Sequence, residues 1–379
     1  MNKRLSFIAL LLLAMAAAAV VPVADAAKSQ RGAGESLVFV QTNEPSGNRV
    51  LVYSVTGSGA LAPAGAYATG GNGGVAAPGD ESDHLASQGS LVYDASHELL
   101  FAVNAGSDTV STFSVHGAQL ELRDVVASGG AFPASIAVQD KLVYVLNSGG
   151  SGIVQGFRIA HDKLQPIQNS ARSLGLANSD PPNFLTSPGQ VGFTSDGGQL
   201  IVTTKASGST IDVFQVQPNG RLSPTPVLNP SATPVPFAFT FTPTGRLAVG
   251  EAGASSVSTY VVAADGSLSG SKSQTDGQTA LCWILRVGRY YYVSNTGSNN
   301  LSAFQIGADG QPALVGATGI VATTDPGPID ATSPSGTSFL YAQTGGGSLH
   351  SYRVNSDGTL SQVAVVRGLP LGMEGIAST

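Results

Sequence analysis

The chain has 379 residues, of which 42% are hydrophobic and only 11% charged, with 48 glycines and 21 prolines. That composition can bury a large core, excludes disorder over most of the length, and favours turns and strands over helices. The formal net charge of −6 is spread thinly and no basic run occurs, which excludes a nucleic-acid binder.

The first element is a targeting segment. Lys3 and Arg4 precede an apolar run over 5–23, and Ala24, Asp25 and Ala26 supply the small residues a signal peptidase requires at −3 and −1. Residues 1–26 are expected to be a cleaved signal peptide. The competing reading is an uncleaved anchor, because the run approaches the roughly 20 residues that span a bilayer; its alanine content, Pro22 and the cleavage site favour removal. Residues 27–34 follow as a flexible N-terminal segment. No later run is long and apolar enough to span a membrane, so the exported chain is expected to be a soluble monomer in the periplasm or the medium. The sole cysteine, Cys282, has no partner for an internal disulfide, which leaves packing to hold the fold together.

From residue 35 to 379 one unit repeats: an apolar strand, a turn with Asp-Gly or a similar pair, a second strand, a small-residue loop, and a third strand ending in an aromatic. The third-strand aromatics fall at Tyr53, Phe113, Phe157, Phe214, Tyr260, Phe304 and Tyr352. Their spacings of 60, 44, 57, 46, 44 and 48 residues centre on the length of a four-stranded propeller blade. The two long intervals carry insertions over 66–87 and 168–187. Short alternating strands between tight turns fit antiparallel sheets and leave no room for βαβ crossovers. An all-β, seven-bladed β-propeller in a single domain is therefore expected. Only one strand, 37–41, precedes Tyr53, and the missing innermost strand is available at 374–378, so the C-terminus is expected to complete the first blade and close the ring.

The segments ending at Phe101-Ala102-Val103-Asn104, Tyr144-Val145-Leu146-Asn147 and Tyr292-Val293-Ser294-Asn295 resemble the Tyr-Val-x-Asn repeat of the lactonase-type seven-bladed propellers. That family includes 6-phosphogluconolactonases of the propeller type and carboxymuconate-cyclising enzymes, and the likeness spans the mature chain. It implies a hydrolase acting on a small lactone or carboxylate with no cofactor. Where that family carries Gly-Pro-Arg-His and Asn-Glu-Leu in its fourth blade, this chain has Pro188-Gly189-Gln190 and Lys205-Ala206, so the histidine and glutamate do not carry over. Fold membership alone transfers no chemistry.

In a propeller the ends of the second strands and the connections between blades share one face. Aligned on the aromatic anchors, the residues at this channel mouth are Asn43, Asn104, Asn147, Lys205, Glu251, Asn295 and Gln343. Asparagine there has a turn-forming explanation; Lys205 and Glu251 have none. Three readings stand for that pair: a salt bridge across the mouth, a substrate-facing acid/base and oxyanion-binding pair, or exposed charges. Glu374 is a candidate second carboxylate or a cap on the closing strand. Gln88, Asn104, Asn147, Gln190, Asn295 and Gln343 are candidate substrate-binding residues, and the insertions are a lid or solvated decoration. Adjacent loop residues rarely converge on a metal, so Asp80, Glu81, Asp83 and His84 are not assigned one. Of the five histidines only His84 stands where a displaced base would be useful. Cys282 reads as a buried small hydrophobe. No zinc spacing, phosphate-binding loop or nucleophile elbow occurs. Two functions follow: a lactonase that hydrolyses or forms a lactone, or cyclises an unsaturated dicarboxylate, through Lys205, Glu251 and Glu374; or a non-catalytic module that binds an extracytoplasmic ligand, a glycan or another protein.

Overall fold

The structure is a computed structural model that describes residues 36–77 and 83–379. The expected signal peptide, the 27–34 segment, Asp80 and Glu81 lie outside the described residues.

The described chain forms seven antiparallel sheets arranged as a seven-bladed β-propeller. Blades 2 to 7 are built from the axis outward in chain order, beginning with the innermost strands Leu91–Asp94, Pro133–Gln139, Gln190–Phe193, Pro236–Phe241, Leu281–Val287 and Pro328–Thr332. Blade 1 takes Leu37–Gln41, Arg49–Val55 and Leu61–Ala68 from the start of the propeller and Ile376–Ser378 from its end. Val38, Phe39 and Val40 stand opposite Ser378, Ala377 and Ile376. The Gln41 N–H adds a bond to Gly375 O at 2.8 Å. The closure read from the sequence is thus the one observed, with the edge of Leu37–Gln41 paired rather than open. In blades 3 and 6 the outermost position is shared by two short strands that pair with one neighbour.

Burial follows position in the blade. The second strand Leu99–Asn104 is buried at every residue, because each of its faces packs on an adjacent blade, and so it reads as a continuous apolar run. The outermost strand Leu360–Arg367 covers little and is only partly buried or exposed. All seven aromatic anchors lie on third strands and none is more than 3% exposed.

The tyrosines of the repeat join one blade to the next. On the second strands of blades 3, 6 and 7, Tyr144, Tyr292 and Tyr341 donate their hydroxyls to Gly220 O, Gly358 O and Gly59 O at 2.8, 2.9 and 3.0 Å. Each acceptor sits in the outer hairpin of the following blade. Gly358 and Gly59 have φ of +88° and +89°, and a Cβ on either would overlap the ring of Tyr290 or Phe339 from the preceding blade, so both conformation and space require glycine there. Replacing Tyr144 with Phe is expected to lower stability by about 1–2 kcal/mol, the cost of a buried carbonyl left without its donor, read from the denaturant midpoint at unchanged slope.

Candidate functional site

The mouth face was expected to present a ring of amides, yet the side chains turn into their own blades. Asn104 Nδ2 donates to Thr109 Oγ1 (3.1 Å) and Ser111 Oγ (2.8 Å), and its Oδ1 accepts from Asn48. Asn295 Nδ2 donates to Asn300 Oδ1 and Ser302 Oγ, both at 2.8 Å. Asn147 donates to Ser128 O and Ile153 O. Gln343 donates to Met373 O, and Asn43 holds Gly74 through both atoms of its carboxamide. All five are wholly buried. Their bonding is that of pins across the top turns, the turn chemistry asparagine provides.

Lys205 and Glu251 are both buried, at 1% and 0% exposure, and among the described residues they do not meet. Neither the salt bridge across the mouth nor the exposed pair is what the structure contains. Glu251 ends the second strand of blade 5, where its side chain lies against Ser256, Ser258 and Tyr260 of the neighbouring strand. Oε2 accepts from Thr233 N (3.1 Å), Thr233 Oγ1 (2.5 Å) and Ser258 Oγ (2.5 Å), and Oε1 from Tyr260 Oη (2.5 Å). Burial raises its pKa and these donors oppose the shift. The carboxylate fastens the 231–235 connection to the blade, away from the axis.

Lys205 points the other way. Its backbone is in the left-handed region, φ 48°, which aims the side chain between the two insertions. Nζ donates to Ala86 O and Phe184 O at 2.6 Å each and to Ser187 Oγ at 2.9 Å, which uses every ammonium hydrogen. The ammonium also lies 5.0 Å from the centre of the Phe237 ring. Burial lowers its pKa to about 8, and the nearby Asp83, Cys282 and Glu374 only partly offset that.

Residues 83–89, at the end of the first insertion and just after it, descend into the mouth. Gln88, expected to line the opening at the start of blade 2, reaches instead to the innermost strand of blade 6. There its carboxamide pairs with both backbone groups of Ile284, at 3.2 and 3.0 Å. Trp283 Nε1 donates to Ser87 O at 2.9 Å. On other sides Ser135 Oγ of blade 3 donates to Gln88 O (2.6 Å) and Gln88 N to Gly189 O of blade 4, and the Gly89 N–H acts electrostatically on Asp330 in the innermost strand of blade 7. A segment bonded to the inner strands of blades 3 and 6, on opposite sides of the ring, can lie only on the axis. Leu85, Ala86 and Ser87 are fully buried there. Gln190 is bonded separately, through Oε1, to Phe239 N at 2.6 Å.

Glu374, on the segment leading to the closing strand, meets this axial segment. Its Oε2 accepts from Leu85 N at 2.6 Å and its Oε1 from Ser87 N at 3.1 Å, and it is hydrogen-bonded to Asp83. Burial, then the Asp83 charge, raises its pKa well above that of an ordinary glutamate. Asp83 lies at the rim, 9% exposed, and accepts the Ala86 N–H at 2.8 Å. His84 packs on Gly372, where a Cβ would overlap the imidazole. Cys282 is buried beside the same cluster and its thiol is pushed up by burial and then by Asp83. Among the described residues no three side chains are grouped to hold a metal ion.

The structure thus brings Lys205, Glu374 and Gln88 together at the axis, leaves Glu251 and the amides elsewhere, and adds Asp83, Trp283 and Asp330. Asp330 carried a signal: it is a carboxylate in the inner strand Pro328–Thr332. It is 5% exposed, and burial raises its pKa to about 7 against the N–H donors of Ala331, Gly89 and Ile376. Two cavities of about 480 and 510 Å³ lie on the opposite face, between hairpins of blades 4 and 5 and of blades 3 and 4, both touching Asp196.

No protein-family model matches the chain, and no curated protein matches it. Solved structures do. The periplasmic gluconolactonase PpgL of Pseudomonas aeruginosa is 16% identical, with 91% of this chain and 99% of that one covered at a TM-score of 0.70. A candidate 6-phosphogluconolactonase of Bacteroides fragilis is 18% identical over 93% and 100% of the two chains, TM-score 0.71. A protein of Lactobacillus plantarum is 18% identical over 91% and 99%, TM-score 0.72. At these identities the shared property is the seven-bladed fold.

Proposed function

We propose that the chain is an exported, non-catalytic recognition propeller whose mouth face binds a neutral, hydroxyl-rich extracytoplasmic ligand, a glycan in the first instance. The observation that carries this reading is that the side chains suited to acid, base or oxyanion work are already committed. Lys205 has no donor left, both oxygens of Glu251 and of Glu374 are bonded within the chain, and residues 85–87 fill the mouth. The rim supports the ligand class. The seven turns joining second to third strands consist of Gly, Ser, Ala, Thr, Asn and Pro apart from Glu44, Asp108 and Lys205. Of these, Glu44 is paired with Arg49 at 2.8 Å and Asp108 accepts the Phe132 N–H at 2.7 Å. Hydroxyl and backbone groups on such a rim suit a neutral partner better than an ionic one. The leader-like residues 1–26 support export, and among the described residues no helix is long and apolar enough to cross a membrane.

One observation favours a second reading. A buried carboxyl held above its ordinary pKa near a buried lysine is an arrangement that general acid–base catalysis uses. In a lactonase of this design, hydrolysing or forming a lactone or cyclising an unsaturated dicarboxylate, Glu374 would take a proton from the attacking group and return it to the leaving oxygen, and Lys205 would face the oxyanion, once residues 83–89 had moved and carried Asp83 with them. The lactonase names of the similar structures support it to the same degree. The experiment is a lactone-hydrolysis panel run beside calorimetric titration of neutral oligosaccharides into the mature protein. The expected outcome is binding of an oligosaccharide with lactone turnover at the buffer level. Turnover that disappears in a folded Glu374→Gln variant would overturn the first reading in favour of the second.

A further inference from the structure

His350 stands on the third strand of blade 7, Ser348–Val354, two residues before the anchor Tyr352, and is 2% exposed. Both of its ring nitrogens are occupied. Asp325, in the 324–327 connection that leads from blade 6 into blade 7, donates its backbone N–H to Nε2 at 3.2 Å, and Ser348 Oγ lies 3.1 Å from the same atom. Nδ1 lies 3.3 Å from Tyr352 Oη, and that hydroxyl donates to Thr323 O at 3.1 Å. With the hydroxyl hydrogen spent, the neutral ring carries its proton on Nδ1, and Nε2 is the acceptor. One more atom faces Nε2: Asp325 Oδ2, at 3.4 Å, which Arg367 also holds. We propose that His350 is a proton-operated switch on the rim between blades 6 and 7. Neutral, it holds the connection by the Asp325 backbone N–H; protonated, it gives up that N–H and turns to the Asp325 carboxylate. The proposal is independent of which ligand the mouth face takes.

The exchange follows from hydrogen-bond valence. A ring nitrogen that gains a proton keeps no lone pair, so the Asp325 N–H would meet another N–H across 3.2 Å. The carboxylate oxygen 3.4 Å away then becomes a partner of opposite charge. The connection can answer only in its middle. Thr324 N donates to Asn299 O at 3.0 Å and Gly327 N to Asn299 Oδ1 at 2.9 Å, which leaves the two peptides on either side of Asp325 to reorient. Few groups face the ring. Its own strand supplies Ser348 and Tyr352, the second strand the Thr344 hydroxyl behind Ser348, blade 6 the Thr323 carbonyl, the outermost strand Arg367 and the connection Asp325. Arg367 binds Asp325 through Nε and Nη2 at 2.8 and 3.1 Å and holds its carboxyl below the usual range, so both stay charged while His350 titrates. Burial raises the Tyr352 pKa, and the phenol stays neutral. Burial also lowers the His350 pKa, an effect that the Asp325 charge opposes and Arg367 reinforces. The folded value therefore lies below 6.5, so the neutral arrangement is complete above pH 6.5 and is given up as pH falls through the lower folded value.

Amide hydrogen exchange and ring nitrogen shifts, both by NMR on the full mature protein, test this. Between about pH 7.5 and about pH 4.5, with rates corrected for the intrinsic pH dependence, we expect protection of the Asp325 amide to fall at least about tenfold. The Thr324 and Gly327 amides, whose acceptors belong to Asn299, should keep theirs. Over the same range the Nε2 signal of His350 should move from the unprotonated to the protonated position. His350→Gln offers an acceptor that does not titrate and is expected to hold Asp325 protection flat. If that variant fails to fold, Asp325→Asn removes the carboxylate that favours the protonated ring and is expected to move the step to lower pH. Asp325 protection that survives protonation of the ring overturns the proposal, as does a ring still unprotonated at about pH 4.5. So does a step as large in His350→Gln, a step that Asp325→Asn leaves in place, or a loss shared equally by Thr324 and Gly327.

Discussion

Lys205→Met is expected to lose about 3 kcal/mol of folding stability at neutral pH, within the range found when one member of a buried ionic cluster is removed. Methionine keeps the length of the side chain and its packing on Phe237, so the change isolates the ammonium. What remains is Ala86 O, Phe184 O and Ser187 Oγ with no donor, each in a dry site where an unmade bond costs about 1–3 kcal/mol. The Asp83–Glu374 pair also loses its counter-charge. One term works in the other direction: the lysine pKa, lowered from 10.5 to about 8, shows that the fold disfavours the charge. Its folded value lies below its unfolded one, so this penalty applies in full below about pH 8 and fades as pH rises toward 10.5. The deficit of the variant should therefore be smallest near neutrality and grow in alkaline solution, where the wild-type amine still donates hydrogen bonds without the cost of a charge. Guanidinium unfolding followed at Trp283 and by circular dichroism measures both. A variant as stable as the wild type would mean that Lys205 does not tie the insertions together, and would return it to the list of groups available for chemistry.

That outcome bears on how the site was read from the sequence. The repeat was legible because blade architecture is local and periodic. The aromatic anchors sit on third strands, the first strand is Leu37–Gln41, and the closing strand lies at Ile376–Ser378, all as spacing and alternation predict. The mouth was legible as a place but not as a chemistry. Alignment on anchors puts Glu251 at the end of a strand, but the alternation of side chains across the sheet and the Ser258 and Tyr260 hydroxyls on the neighbouring strand decide that it points between blades. The amides were correctly given a turn-forming character, and their donors are consumed in that role. The axial segment was illegible for a different reason. The bonds that place it, such as that between Gln88 and Ile284, join residues 196 apart in sequence, and no repeat constrains the path of an insertion. Composition does mark the exceptions: a carboxylate in an inner strand at Asp330, and a tryptophan beside the only cysteine at Trp283.

Asp330 offers the sharpest test of the electrostatics at the axis. Its carboxyl is raised by burial from 3.8 to about 7, and with no cation among the groups acting on it, the shift reflects desolvation that three N–H donors do not overcome. The folded value exceeds the unfolded one, so the protonated form favours folding. Stability is fullest below the unfolded value and falls as pH rises toward about 7, by roughly 4 kcal/mol at about 1.4 kcal/mol per unit. Asp330→Asn keeps an oxygen for the backbone donors and removes the titration. Whatever the amide costs by its own fit, that cost does not depend on pH. The stability of the variant relative to wild type should therefore improve by several kcal/mol between about pH 4.5 and about pH 8.5, measured as the difference between two pairs of denaturant curves. An unchanged difference would show that Asp330 is ionised in the fold at little cost, which requires water at the axis. Residues 83–89 would then sit in a wet channel, and the argument that the mouth is closed to substrate would lose its physical basis.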